Sequence, residues 1–138
     1  MSSENSTQSM EQVWFVRAFA FMTGCAVGLG AFGAHAMKSM RTEQQLETWK
    51  TATLYLLIHG VAGLTLSLYN SARHNQHEHT SGGAPRAALM LIFTGALVFS
   101  VSLYLLVLLQ IPILGAITPL GGVAMIAGWF TLTFRFRT

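Results

Sequence analysis

The sequence predicts an all-α integral membrane protein, a bundle of four transmembrane helices with both termini on the same, cytoplasmic side. Residues 87–134 form a run of 48 positions without Asp, Glu, Lys, Arg or His. Charged residues make up 9% of the 138-residue chain and hydrophobic residues 52%. A soluble protein of this length has too little interior for such a run. A bilayer accepts apolar side chains, and helices satisfy their own backbone groups there.

The first twelve residues are polar and include Glu4 and Glu11. A secretory signal begins with a basic segment, and a mitochondrial presequence is rich in arginine and poor in acids. Neither pattern fits, so we expect residues 1–12 to form a disordered polar tail. Residues 13–138 are expected to form a single four-helix transmembrane domain.

The first span is predicted at about residues 13–37, with Trp14 and Arg17 as interfacial anchors at its start. Small residues recur in it at four-residue spacing, in two series: Ala20, Gly24 and Gly28, and then Ala26, Gly30 and Ala34. This spacing allows another helix to approach closely. We expect the other spans of the chain to pack there, with a second copy of the chain as the alternative.

The second span is predicted at about residues 51–69. Thr42 and Gln45 have the spacing of a capping box, which predicts a helix start near Thr42, outside the hydrocarbon. Trp49 is then expected to mark the interface. A polar loop rich in His, Ser, Gly and Asn follows at residues 70–86 and is typical of a flexible connector.

The third and fourth spans are predicted at about residues 87–109 and 118–135. Thr118 and Pro119 have the preferences of an N-cap and a first helical position. A helix from Pro119 to Arg135 measures about 25 Å, slightly less than a hydrocarbon core of ~30 Å. We therefore expect residues 111–117 to lie at the interface, before the helix.

The orientation follows from the distribution of Lys and Arg. With four spans, one side of the membrane receives five such residues and the other receives three. The first set is Arg17, Arg73, Arg86, Arg135 and Arg137, and the second is Lys38, Arg41 and Lys50. The positive-inside rule then places both termini in the cytoplasm or its equivalent.

Histidines are the ionisable residues to consider first as ligands. His59 lies about 12 Å into the second span, where an ionisable group is a functional candidate because its burial is costly. Either it hydrogen-bonds across a helix interface, or it binds a metal or haem or carries protons. His35 lies near the membrane surface, so its depth argues against a shared haem with His59. His74, His77 and His79 have side chains that can bind a metal, but they lie in a loop that offers no rigid frame to hold them around one.

Hydroxyl groups are the other polar groups at membrane depth. Ser100 and Tyr104 share one helix face, whereas Ser102 points elsewhere, and Tyr55 lies one turn before His59. Such groups usually bond their own i−4 carbonyl or a neighbouring helix. No Asp or Glu lies inside a predicted span, which argues against an ion-coupled transporter.

Four blocks in this order and spacing resemble the YgdD-like family of small four-span membrane proteins, a domain-of-unknown-function family whose eukaryotic branch is called transmembrane protein 256. The blocks are residues 29–35 (LGAFGAH), 51–59 (TATLYLLIH), 98–104 (VFSVSLY), and 118–122 (TPLGG) with Gly128 and Trp129. The resemblance implies four spans and an inner-membrane location. It also implies that certain positions match family motifs: His35, Tyr55, His59, Ser100, Ser102, Tyr104, Thr118 and Pro119. The chain departs from the family pattern at Leu56, Ile58 and Val101, which are expected to make the interior drier.

The function expected from these features is non-enzymatic: an accessory, assembly or structural subunit of a larger membrane complex, or a small homo-oligomer. Helix packing is assigned to seven glycines: Gly24, Gly28, Gly30, Gly60, Gly63, Gly121 and Gly122. No catalytic residue, metal or cofactor is predicted. Nucleic-acid binding is excluded because Lys and Arg form no basic cluster.

Two alternatives stay open. One is a small-molecule or ion conduit lined by the hydroxyls and His59, in which a helix start before Gly121 and Gly122 directs N–H groups at an anion. The other is a haem- or metal-binding redox protein.

The expected partners are the bilayer together with other membrane subunits or a second copy of the chain. The expected location is a bacterial inner membrane, with the mitochondrial inner membrane as the alternative.

Overall fold

The computed structural model describes residues 2–37, 41–75 and 83–135, and within them every regular element is helical. Helix α1 spans Ser2–Phe32 and continues into a short π-helical segment, Gly33–Met37. Helices α2, α3 and α4 span Glu43–Asn75, Arg86–Leu109 and Ile113–Arg135. Each of the four contains a stretch long and apolar enough to cross a membrane. The predicted all-α architecture with four long apolar helices is therefore confirmed.

Helices that are neighbours in sequence are also neighbours in space. Helix α1 packs against α2, α2 against α3, and α3 most closely against α4. Phe93 of α3 also contacts α1, with its ring 5.3 Å from that of Phe19. The buried core contains many alanines, such as Ala26, Ala52, Ala88 and Ala96. Small side chains let helix backbones approach closely, which is the main source of attraction between helices in lipid.

The amino-terminal residues differ from the predicted disordered tail, because α1 begins at Ser2. Residues 2–12 contain neither Pro nor Gly, so no helix breaker separates them from the apolar span. Glu11 forms an ion pair with Arg86, at 2.7 Å. The beginnings of α1 and α3 therefore lie at the same end of the molecule.

The start of α2 follows the predicted capping box. The Thr42 backbone N–H donates to Oε1 of Gln45 at 3.1 Å, and the Gln45 backbone N–H donates to Oγ1 of Thr42 at 3.3 Å. Each side chain thus satisfies a backbone donor that the first turn of the helix leaves unpaired. The predicted helix start near Thr42 is confirmed.

The predicted start of the fourth helix is wrong. Helix α4 begins at Ile113, so Pro119 lies inside it and Thr118 is not its N-cap. Gln110 ends α3 in a left-handed conformation, with φ 57° and ψ 35°. The turn that follows starts α4 early, with the N–H of Leu114 donating to the carbonyl of Ile111 at 3.1 Å. Proline removes one hydrogen bond, to the carbonyl four residues earlier, and transmembrane helices tolerate that loss when neighbours compensate.

The closest helix pair, α3 and α4, meets at glycines. A Cβ atom on Gly95 would lie 2.8 Å from the carbonyl oxygen of Gly121. A Cβ on Gly128 would lie 2.7 Å from Cγ1 of Ile92 and 3.1 Å from the Ala88 carbonyl oxygen. The absence of side chains at these positions allows the two backbones to touch.

The outer surface of the helices is strongly apolar. Along α4, for example, Leu120, Val123, Phe130 and Phe134 are each exposed by 58% or more. Water would destabilise a surface of this kind, whereas the hydrocarbon of a bilayer solvates it. The exposed surface therefore supports the same membrane setting as the sequence.

Candidate functional site: polar and aromatic groups between the helices

A chain of hydrogen bonds connects the first three helices. Nε1 of Trp49 donates to the Leu29 carbonyl oxygen at 2.8 Å. Oγ1 of Thr53 donates to the Trp49 carbonyl at 2.9 Å, so its single hydrogen is used. The 2.9 Å contact between Thr53 Oγ1 and Tyr104 Oη must then be donated by Tyr104. The chain runs from α3 through α2 to α1, and it joins the three helices.

Trp49 is buried, with only 3% of its surface exposed, so its indole packs between helices. Its ring centroid lies 4.5 Å from that of Tyr104 and 5.8 Å from that of Phe32. A Cβ on Gly33 would collide with the indole, and a Cβ on Gly30 would lie 3.2 Å from Cγ2 of Thr53. Gly30 of α1 and Gly33 of the π-helical segment therefore form the surface that receives α2.

The prediction that Ser100 and Tyr104 share one face of α3, with Ser102 on another, is confirmed. Ser100 is fully buried, and its Oγ donates to the Ala52 carbonyl of α2 at 2.9 Å. Tyr104, on the same face, also bonds to α2. Ser102 faces the other way, and its Oγ lies 2.8 Å from Oγ1 of Thr118 in α4. The hydroxyls of α3 thus join it to both neighbours.

The direction of the Ser102–Thr118 bond follows from the remaining partners. Ser102 Oγ donates to the Phe99 carbonyl at 2.9 Å, so Thr118 donates to Ser102. The Leu114 carbonyl lies farther from Thr118 Oγ1, at 3.3 Å. Thr118, predicted as a helix cap, is instead a residue that joins α4 to α3.

Replacing Thr118 with valine is expected to destabilise the folded protein by roughly 0.6 kcal/mol, the typical value for an interhelical hydrogen bond in a membrane protein. The shape is retained and only the hydroxyl is lost. Unfolding in a mixed-micelle titration with dodecyl sulfate measures the change. Thr131→Val is the matched control, because among the described residues the Thr131 hydroxyl bonds only the Ala127 carbonyl of its own helix. Equal effects of the two substitutions would contradict a role in joining helices.

His59 is the middle residue of α2, with sixteen residues of the helix before it and sixteen after. It is buried, with 9% of its surface exposed. Its Nδ1 lies 2.8 Å from the Tyr55 carbonyl oxygen of the same helix. The predicted hydrogen bond to a carbonyl is present, but it is local and does not cross a helix interface.

Two aromatic rings flank His59, that of Tyr55 from its own helix and that of Trp129 from α4. The Tyr55 ring stacks on Phe99 of α3 with centroids 4.5 Å apart, and its centroid lies 5.8 Å from that of the imidazole. The Trp129 ring of α4 is 6.1 Å from the imidazole. Tyr55 and Trp129 are partly exposed, at 39% and 38%. This group is therefore open at the side of the bundle.

The structure does not bring His35 and His59 together. His35 is exposed in the π-helical segment, two residues after Gly33, which faces Trp49. His59 lies ten residues beyond Trp49, or about 15 Å along α2. Two axial ligands of one haem iron must lie on opposite sides of a single ring. The distance between His35 and His59 along the bundle therefore does not fit two axial ligands of one haem.

The remaining histidines add no described site. His74 falls in the last turn of α2, and His77 and His79 lie outside the described residues. Among the residues that the structure describes, no group of three or more His, Cys, Asp or Glu side chains is arranged to hold a metal ion.

The predicted packing glycines divide into two groups. Gly60 faces Thr23 of α1, whose Oγ1 would lie 2.6 Å from an added Cβ, and Gly63 faces the Phe19 ring. Gly30 and Gly121 also face neighbouring helices. In contrast, an added Cβ on Gly24 or Gly28 would meet nothing within 4 Å. Gly122 is similarly open, with Phe99 at 3.9 Å.

Two residues that join helices were not predicted from the sequence. Thr53 is contained in a motif block, but nothing in the pattern distinguishes it from the neighbouring threonines. Asn70 was assigned to a flexible loop, yet it belongs to α2. Its Nδ2 donates to the Ala84 carbonyl and its Oδ1 accepts from the Ala84 N–H, both at 2.8 Å. An asparagine at the predicted end of a span is the signal for this clamp, since its amide matches one backbone donor and one acceptor.

Of the three departures from the family pattern, only Leu56 lies in the interior. It is 3% exposed, whereas Ile58 and Val101 are 52% and 45% exposed. The expectation that all three dry the interior is therefore wrong for Ile58 and Val101. An outward side chain contacts lipid instead of a neighbouring helix.

A groove of about 460 Å³ opens between α1 and α2 beside Trp49. Gly30, Ala34 and Leu57 contribute to its wall. Lys50 and Glu47 also line it and form an exposed ion pair at 2.6 Å.

Four long apolar helices, joined by hydroxyl and indole hydrogen bonds, define a small multi-pass membrane protein. The chain belongs to the DUF423 family, described as proteins of unknown function, whose pattern matches residues 29–122. The matched range includes most of the motif blocks that suggested the YgdD-like family, and the resemblance is confirmed.

Bacterial relatives carry the name UPF0382 membrane protein. SAB0533 of Staphylococcus aureus (strain bovine RF122 / ET3-1) is 43% identical over 114 residues, which cover 80% of this chain and 87% of the relative. The protein of Staphylococcus haemolyticus is 38% identical over 125 residues, covering 88% and 96%. YwdK of Bacillus subtilis is 43% identical over 108 residues, covering 78% and 82%. No solved structure matches the chain.

Proposed function

We propose that this protein is a non-catalytic structural or assembly subunit, which holds transmembrane helices of a partner, or of a second copy, in a bacterial cytoplasmic membrane. One observation carries the proposal. The face of α1 formed by Ala20, Gly24 and Gly28, here called the outer glycine face, is exposed, and no other helix among the described residues occupies it.

The contrast with the second series of small residues supports this function. Ala26 is fully buried, and Gly30 faces Thr53 of α2. One side of α1 therefore serves packing within the chain. The outer glycine face has the same four-residue spacing but has no partner helix in the part of the chain that the structure describes. Small residues at this spacing favour close contact between transmembrane helices.

The bonding of the intramembrane hydroxyls favours a structural role over a conduit. Ser100, Ser102, Tyr104 and Thr118 each bond to a neighbouring helix. A group that lines an ion pathway needs free donors or acceptors for the passing species. In addition, Gly121 and Gly122 follow an interior proline instead of a helix start, so their N–H groups do not form the anion site considered from the sequence.

We further propose that both termini face the cytoplasm. The excess of Lys and Arg on the side that contains Arg86 supports this orientation. The ion pair between Glu11 and Arg86 supports a shared side for the beginnings of the spans in α1 and α3.

Replacing both Gly24 and Gly28 with leucine tests the proposed function. The variant is expected to fold normally, because both positions are open, and to lose the larger complex. Native gel electrophoresis after extraction in mild detergent, with mass spectrometry of the co-migrating chains, measures the loss. The size of the complex distinguishes a partner from a second copy.

Ala127→Leu is the control, since it places a leucine at an exposed position of α4, away from the outer glycine face. It is expected to leave the complex intact. A complex that survives in the double variant, or a wild-type chain that migrates alone, would contradict the proposal.

A further inference from the structure

The group formed by Tyr55, His59, Phe99 and Trp129, here called the imidazole site, contains hydrogen-bonding capacity that the fold does not use. Nδ1 of His59 bonds the Tyr55 carbonyl. No described residue bonds Nε2, and no buried polar side-chain atom of the described residues lacks a partner. It follows that Nε2 is not sealed inside the bundle but reaches its surface.

The chemistry of Nε2 follows from the bond at Nδ1. A carbonyl oxygen only accepts, so Nδ1 carries a hydrogen. A neutral imidazole with hydrogen on Nδ1 has a lone pair on Nε2. This atom therefore accepts a hydrogen bond and selects a ligand that carries a donor.

The surroundings of Nε2 restrict the ligand further. Two partly exposed rings flank the imidazole, with centroids 5.8 and 6.1 Å away. The hydroxyl of Tyr55 and Nε1 of Trp129 donate to no other described residue. Aromatic faces favour a flat ring, and unused donors favour a ligand oxygen that also accepts.

The depth of the site determines how the ligand arrives. His59 is at the middle of α2, and Trp129 lies six residues before the end of α4. Both belong to apolar stretches long enough to cross a membrane. Only a molecule that dissolves in the bilayer reaches this position from the side.

We propose that the imidazole site binds a membrane-soluble phenol or hydroquinone. The ligand hydroxyl donates to Nε2 of His59, and the ligand ring lies against Tyr55 and Trp129. The site is on the side of α2, α3 and α4, whereas the outer glycine face is on α1. Binding at this site is therefore independent of the proposed assembly role.

The test uses 4-decylphenol and its methyl ether, 4-decylanisole, with the full chain in bicelles. The two probes share a ring and an alkyl tail, but only the phenol has a hydroxyl donor. Nitrogen NMR of protein with ¹⁵N-labelled histidine follows Nε2 of His59, whose signal is assigned by its absence in His59→Gln. We expect the phenol to shift this signal saturably and the anisole to leave it unchanged. The exposed His35 serves as an internal reference.

The Trp129→Leu variant tests the aromatic contact. It is expected to weaken binding of the phenol about fivefold, the effect of losing one aromatic pair. Trp14→Leu is the control, because Trp14 is also partly exposed, at 48%, but lies on α1. The inference is overturned if the His59 signal does not move, if the anisole moves it equally, or if both tryptophan variants bind the phenol as wild type does.

Discussion

Replacing Gly121 with alanine is expected to destabilise the protein by about 3 kcal/mol or more, the upper range for overpacking a filled interior. The added Cβ would collide with the backbone of Phe99 and lie 2.7 Å from the carbonyl oxygen of Gly95. These are backbone atoms, which cannot rotate away as a side chain does. The closest helix pair of the fold must therefore separate.

The neighbouring residue provides the control. Gly122→Ala makes the same substitution one position later, where the added Cβ meets only Phe99 Cδ2, at 3.9 Å. Alanine also has a higher helix propensity than glycine, by about 1 kcal/mol, so this variant is expected to be neutral or stabilised. The stability of both variants is measured by heating the detergent-solubilised protein and passing it through a size-exclusion column. The temperature at which half of the protein is lost from the monodisperse peak is compared. Equal stability of the two variants would mean that α3 and α4 do not meet at Gly121.

Replacing Trp49 with alanine is expected to have a comparable effect, a loss of about 3 to 5 kcal/mol, the range for removing a large buried aromatic side chain. Trp49 is 3% exposed and lies between Gly33 of the π-helical segment and Tyr104 of α3. Its removal leaves a cavity and also removes the donor to the Leu29 carbonyl. The dispersion attraction between the indole and its neighbours is not replaced unless lipid fills the space.

Trp14→Ala is the control for Trp49→Ala, since Trp14 is 48% exposed. Its loss is expected to change stability much less. Trp49→Phe then separates the two contributions, because it keeps most of the ring and removes the N–H donor. Unfolding in dodecyl sulfate, followed by far-ultraviolet circular dichroism, measures all three. If Trp14→Ala is as destabilising as Trp49→Ala, Trp49 does not join α1 to α2 and α3.

Trp49 and Thr118 show why sequence reasoning missed the packing partners of some residues. A tryptophan next to charged residues is typical of a membrane interface, and Thr-Pro is typical of a helix start. Each of these two interpretations rests only on the residues that are adjacent in the sequence. Gly33, which makes room for Trp49, is sixteen residues away, and Ser102, which accepts from Thr118, is also sixteen residues away. Tertiary contact decides the packing partner in both cases.

The α3 hydroxyls show the opposite case. The helical period alone placed Ser100 and Tyr104 on one face and Ser102 on another, and the structure bears this out. The period could not identify the partners. Ala52, which accepts from Ser100 through its carbonyl, has no polar side chain to mark it in the sequence.

The sequence by itself determined the class of this protein. The long run of uncharged residues requires lipid, because a chain this short cannot bury it, and the helical period fixes which residues share a face. Only the tertiary structure decided how each face is used. It placed Gly30 against α2 and left Gly24 and Gly28 open, although both series have the same spacing. The physical reason is that lipid and a neighbouring helix are equally apolar, so hydrophobicity does not separate a packed face from an exposed one, and only the fit of backbones and hydrogen bonds does.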